Sequence, residues 1–162
     1  MRPIVFICEE TLPLVPEEIA RQFLDLTKWP DFQGYWPIPG IKLAEFDVQA
    51  PGVVGTRIRV TNLDGSSHVE EIVEWQPDQR IRLGMTGFSP PLSRWAEKFE
   101  ETWEFKPAEN GTKVVRSFQL FAKSFAAELP LRVISFFLRR AVVRDMRRME
   151  ASGVAGHSKS IK

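Results

Sequence analysis

Cysteine and tyrosine occur once each in this chain of 162 residues, and histidine only twice. A lone thiol, Cys8, closes no internal disulfide. His68 and His157 lie too far apart to build a zinc pattern with it, so no metal or cofactor is expected. Long apolar runs are missing as well. The run in MRPIVFICEE is too short for the core of a signal peptide and meets two glutamates at once, and no segment reaches the ~20 residues of a membrane-spanning helix. Without such signals the chain reads as cytoplasmic. It also lacks a surplus of either charge, with 22 basic against 21 acidic side chains, which argues against nucleic acid as a partner. What is present is the balance of a globular protein, 43% hydrophobic and 27% charged, at the length of one domain with its own core.

Residues 3–12 alternate as a first strand. In LPLVPEEIARQFLDL, Pro16 and the pair Glu17 and Glu18 mark a helix start, and the helix is expected to end near Lys28. WPDFQGYWPIPGIK is too broken for a regular element and too apolar for a solvated loop. Period-2 runs then follow, KLAEFDV, TRIRVTN, SHVEEIVEW, RIRLGMTGF, RWAEKFEETWEF and KVVRSFQLFAKSF, separated by the turns LDGS, QPDQ, a Ser-Pro-Pro break and PAENGT with its Asn-Gly. From Pro130 the period becomes 3.6, with Leu131, Ile134, Leu138, Val142, Met146 and Met149 on one side of a helix of about 20 residues. Residues 1–150 thus form one domain, and 151–162 read as a disordered tail.

The order strand, helical pair, six strands and long helix resembles the START-related helix-grip superfamily, in particular its polyketide cyclase/dehydrase and lipid-transport (SRPBCC) group. GVVGTRIRV, HVEEIVEWQPDQRIRL and ETWEFKPAENGTKVVRSF carry the resemblance, together with the terminal helix. It implies an α+β fold: a seven-stranded curved antiparallel sheet wrapped around the C-terminal helix, with a short helical pair between strands 1 and 2. It also implies an internal cavity for a hydrophobic small molecule or lipid. The group contains both carriers and cyclases, so fold alone does not assign activity.

Turn lengths predict the pairing. Across LDGS, Val60 is expected opposite Val69 and Ile58 opposite Glu71; across QPDQ, Trp75 near Ile81 and Val73 near Leu83. The concave face then carries Glu71 among apolar residues, while His68, Glu70, Glu74 and several arginines face water. Across PAENGT, Phe105 faces Val114, Trp103 faces Arg116 and Glu101 faces Phe118. That pairing sets Arg116 diagonal to Glu101 on an aromatic face. A buried charge is costly unless paired or hydrated, so these residues form a closed ion pair or look into a wet or ligand-filled cavity.

On the cavity reading the ligand contacts are Trp36, Glu71, Met85, Trp95, Phe99, Glu101, Trp103, Arg116, Phe118, Ile134 and Leu138, with Arg116 holding a carboxylate, carbonyl or phenolate. Trp29, Phe32, Tyr35, Ile38 and Phe88 form a gate or a static plug. The leading expectation is binding or carriage of a hydrophobic small molecule or lipid. The alternatives are a cyclase/dehydratase-like enzyme using Glu71 or Glu101, and an interaction module for an anionic membrane surface or a protein partner. The last rests on six arginines of the terminal helix, Arg132, Arg139, Arg140, Arg144, Arg147 and Arg148.

Overall fold

The computed structural model describes residues 1–160, with side chains through 154. Seven strands, β1 (Ile4–Leu12), β2 (Ile41–Val48), β3 (Arg57–Asn62), β4 (Ser67–Gln76), β5 (Arg80–Thr86), β6 (Ala96–Ala108) and β7 (Gly111–Ala122), form one antiparallel sheet. Its order, β1-β7-β6-β5-β4-β3-β2, places the first two strands at opposite edges. Between them lie α1 (Pro16–Leu24) and a 3-10 turn at Leu26–Asp31. Pro16 opens α1 with the Val15 amide donating to Glu18 Oε2. The helix ends earlier than expected because the Asp25 side chain accepts from the Thr27 amide and starts the tighter turn.

The last helix, α2 (Glu128–Ser160), lies along β1 and spans 33 residues. Its buried side carries Leu131, Val142, Met146 and Met149, as the period of the sequence predicts. The expected tail of 151–162 is corrected over 151–160, which continue the helix. Gly153 is part of the reason: a Cβ there would come within 2.9 Å of the Pro13 ring, so its bareness lets α2 pass the β1–α1 corner. Residues 161–162 lie outside the described residues.

Pairing of β6 with β7 is the one expected: Phe105↔Val114, Trp103↔Arg116 and Glu101↔Phe118. Two residues, Glu109 and Asn110, turn the chain. Gly111 follows at φ 146°, where a Cβ would collide with the Leu12 carbonyl oxygen. The β3–β4 register is one residue away from expectation, with Val60 opposite His68 and Ile58 opposite Glu70. Trp75 still pairs with Ile81, because a bulge between Ile72 and Glu74 absorbs the slip. Its effect is to invert the faces of the first half of β4: Glu70 and Ile72 are buried, and Val73 and Glu71 are exposed. A second bulge, between Ala96 and Lys98, leaves Glu97 in water while Phe99 points inward.

Candidate functional site

Between the concave face of the sheet, α1 and α2 lies a cavity of about 440 Å³. Strand alternation supplies one wall, with Met85, Phe99, Trp103 and Phe118 on the inward period of β5, β6 and β7. Ile134, Leu138 and Val142 face them from successive turns of α2, and Ile19 and Phe23 close one side from α1. Ring packing fixes this wall: Phe23 meets Trp103 edge-on at 4.8 Å, and Phe88 packs on Phe99 at 4.7 Å. The Trp103 indole N–H has no acceptor, the one such buried side-chain atom among the described residues.

A chain of charges crosses this apolar wall. Arg116 Nε donates to Glu101 Oε1 at 2.7 Å, Nη2 lies 2.6 Å from the same oxygen as an ion pair, and Nη1 donates to Asp145 Oδ2 at 3.1 Å. Glu101 is 3% exposed and Arg116 5%, so the pair is closed, yet both residues also line the cavity. The closed ion pair, one of the alternatives read from the sequence, is therefore present, and it lies against a cavity. The guanidinium lies 4.1 Å above the Trp103 ring, which fixes its plane. Asp145 Oδ1 accepts from Arg148 Nε and Nη2 at 3.3 and 2.9 Å, and Arg148 Nη1 reaches Asp31 at 3.7 Å. The charges thus run from the cavity floor to the 3-10 turn at the surface.

Beside this chain, His68 Nε2 and Glu70 Oε1 are 3.0 Å apart, and both residues line the cavity. Burial pushes the Glu101 carboxyl up to about 7; Arg116 pulls against this, and the nearby carboxylates of Glu70 and Asp145 add to it. The same Glu101 and Asp145 carboxylates hold the Arg116 guanidinium above its ordinary value despite its burial. Cys8, opposite Arg116 in β1, is pushed up by burial, and its thiol points to the Arg139 carbonyl at 3.9 Å. Among the described residues no three His, Cys, Asp or Glu side chains gather as metal ligands would.

Of the residues proposed as ligand contacts, Met85, Trp95, Phe99, Glu101, Trp103, Arg116, Phe118, Ile134 and Leu138 line the cavity. Glu71 does not, because the β4 bulge puts it on the outer face opposite Arg57 and gives its place to Glu70. Trp36 does not either. Reciprocal backbone hydrogen bonds between Tyr35 and Ile38 make a tight turn that leaves Trp36 at its tip, 85% exposed. Of the residues proposed as a gate, Trp29, Phe32, Ile38 and Phe88 line the cavity, whereas Tyr35 does not and has the Arg140 guanidinium 5.9 Å from its ring. Gly34 permits this turn, since a Cβ there would strike the Ile38 carbonyl.

Sequence reasoning missed His68, Glu70, Asp145 and Arg148 as cavity residues. Two signals pointed to them: the adjacent apolar pair Ile72-Val73 breaks the β4 alternation as a bulge does, and Asp145 interrupts the apolar stripe of α2 beside Val142, Met146 and Met149. Four of the six arginines of α2 have structural work. Arg144 donates to the Gly34 carbonyl and Gln33 Oε1, Arg148 reaches Asp31, Arg140 covers Tyr35 and Phe136, and Arg132 pairs with Glu128. Three of the six therefore hold the segment from Asp31 to Tyr35 against α2. Among the described residues no helix is long and apolar enough to cross a membrane.

Comparison with known proteins agrees with this architecture. Solved structures with the same fold include TTHA0849 from Thermus thermophilus (19% identity, 94% of this chain and 99% of that one, TM-score 0.69). Another is the ginseng major latex-like protein 151 from Panax ginseng (16% identity, 93% and 99%, TM-score 0.64). A third is Ara h 8.0201 (17% identity, 90% and 99%, TM-score 0.58). No curated protein matches the sequence. Residues 9–153 match the family described as polyketide cyclase / dehydrase and lipid transport, and the chain belongs to that family.

Proposed function

We propose that this protein binds, and in that bound form carries, a hydrophobic small molecule or lipid in the cavity between the sheet and α2. One observation carries the reading: about 440 Å³ of space walled by aromatic and aliphatic side chains of the sheet, α1 and α2, with the Glu101–Arg116–Asp145 charges and the His68–Glu70 pair among its polar lining. Small-molecule sites fall in this size range and have this make-up. Cores are otherwise filled to crystal-like density, so a space this large in so small a domain forfeits contacts that an apolar occupant restores. The experiment is to extract natively purified protein with organic solvent, identify co-purified compounds by mass spectrometry, and titrate the protein with the neutral dye N-phenyl-1-naphthylamine. Expected are a co-purified apolar compound and saturable dye fluorescence. An empty extract together with no dye binding rejects the reading.

A second reading, a cyclase- or dehydratase-like enzyme, draws on a different observation. Glu101 is poised at about 7 on the cavity floor, and the Glu70–His68 pair lines the same cavity. A carboxyl that can give and take a proton near neutrality suits enolisation of a bound carbonyl compound. On this reading Glu101 and Glu70, not Glu71, are the acid–base residues. Its test is turnover of a poly-β-ketone thioester by the wild type and by Glu101→Gln. Loss of turnover with dye binding retained supports it, and equal turnover by both rejects it.

A further inference from the structure

The cavity floor is selective about which polar group it admits. Among the described residues Arg116 is the only cation whose guanidinium is fully enclosed there, and each of its three nitrogens already meets a carboxylate, Nε and Nη2 on Glu101 and Nη1 on Asp145. One face of the guanidinium is covered by Trp103. Nη1 and Nη2 each keep a second N–H, but an incoming carboxylate or phosphate that took one would add a further buried anion beside Glu101 and Asp145, or displace one of them and strand it, and either is costly. The floor is also short of positive charge. Glu70, Glu101 and Asp145 supply three carboxylates against the guanidinium groups of Arg116 and Arg148, with Arg148 shared with Asp31 and His68 held by Glu70; the remaining cation of the lining, Lys28, lies on the 3-10 turn.

What the floor does offer is an acceptor. Both Arg116 contacts on Glu101 fall on Oε1 and neither on Oε2, in a residue that lines the cavity. Building on the cavity-binding reading, we infer that the ligand's polar end is a neutral hydroxyl, a phenol or an alcohol that donates to Glu101, and not a carboxylate or phosphate. A hydroxyl both donates and accepts, so it also fits a Glu101 that carries a proton. An ammonium group would find the acceptor but would sit beside the fixed charge of Arg116, 2.6 Å from the same carboxyl.

The experiment displaces N-phenyl-1-naphthylamine from the wild-type protein at about pH 7.5, where a phenol is neutral and a carboxylic acid ionised. Four compounds share one ring system: naphthalene, 2-naphthol, 2-naphthoate and 2-naphthylmethylammonium. The expected result is displacement by 2-naphthol at concentrations lower by about tenfold or more than any of the other three, the gain expected of a hydrogen bond to a charged or charge-paired acceptor. Naphthoate or the ammonium compound binding as tightly as 2-naphthol overturns the hydroxyl assignment and leaves cavity binding standing. Equal affinity for naphthalene and 2-naphthol also overturns it, because the floor then makes no contact. Failure of the dye itself to bind, together with an empty solvent extract, rejects the cavity reading, and this inference with it.

Discussion

Glu100 and Glu101 are neighbours in one strand with the same side chain, and they meet opposite environments. Alternation turns Glu100 to the convex face, where it pairs with Lys98 at 2.6 Å and Arg82 at 3.7 Å with its side chain 28% exposed. Glu101 turns inward to Arg116, with its side chain 4% exposed. Contact distances are similar, yet the energetics differ. Water screens the outer group and makes its partners nearly optional. Inside, removing one partner leaves the other as an uncompensated charge in an apolar wall. The difference teaches that the inner set is held together because each member makes the others tolerable. Such a set persists at the expense of a simpler apolar wall, which is consistent with a role toward what occupies the cavity.

The widest separation between the two clusters is expected from Arg116→Met, which strands Glu101 and Asp145 together. A loss of about 3–5 kcal/mol is expected in urea denaturation. Adding Glu101→Gln and Asp145→Asn to that variant should recover part of the loss, since the stranded charges go. A loss under ~1 kcal/mol would mean the inner cluster is solvated like the outer one, and the contrast would collapse.

Acidity separates the neighbours next. Burial raises Glu101 from an ordinary 4.5 to about 7, so its protonated form is favoured in the folded state. The stability this group contributes is therefore complete below its ordinary value and is lost as pH rises through about 7. Thermal melts between about pH 5 and pH 8 should show a decline in the wild type that Glu101→Gln flattens and Glu100→Gln leaves unchanged. Parallel pH profiles for all three proteins would assign the decline to other groups.

Arg148 lies between the extremes through its partners: its own side chain is as exposed as that of Glu100, at 28%, but it pairs with Asp145, 9% exposed, as well as with Asp31, 48% exposed. Arg148→Ala should cost about 1–2 kcal/mol, less than a buried partner and more than a surface one. It should also speed release of the naphthylamine dye in stopped-flow measurements, because the pair to Asp31 ties the mouth to α2. Unchanged release would detach the mouth from the inner cluster.

These contrasts were unequally legible before the structure. Where a two-residue turn joined strands with no bulge between the turn and the site, as from β6 to β7, alternation alone placed Glu101 beside Arg116. From β3 to β4 the register slipped by one residue and a bulge at Val73 restored it, so Trp75 was placed correctly while Glu70 and Glu71 exchanged faces. A bulge records itself in sequence only as a broken alternation, which a half-buried strand also shows for other reasons. Asp145 was visible as an acid on an apolar stripe, but its partner lies 29 residues away across the core, and no local spacing links the two. The aromatic loop was legible as a cover. Which of its rings faced inward depended on a four-residue turn, Tyr35 to Ile38, that turns Trp36 outward and Ile38 in.

The smallest effect tests the outer half of the comparison by itself. Glu100→Gln removes a carboxylate shared between Lys98 and Arg82, whose side chains are 41% and 43% exposed, and leaves an amide of the same shape that can still accept from either. Both cations keep water, and Arg82 keeps a contact with Glu74 at 3.8 Å. Nothing charged is stranded, so stability should change by less than ~0.5 kcal/mol, and by less still as salt is added. A loss above ~1 kcal/mol that survives high salt would place Glu100 in a buried network as well. Exposure would then no longer explain why its neighbour alone titrates near neutrality.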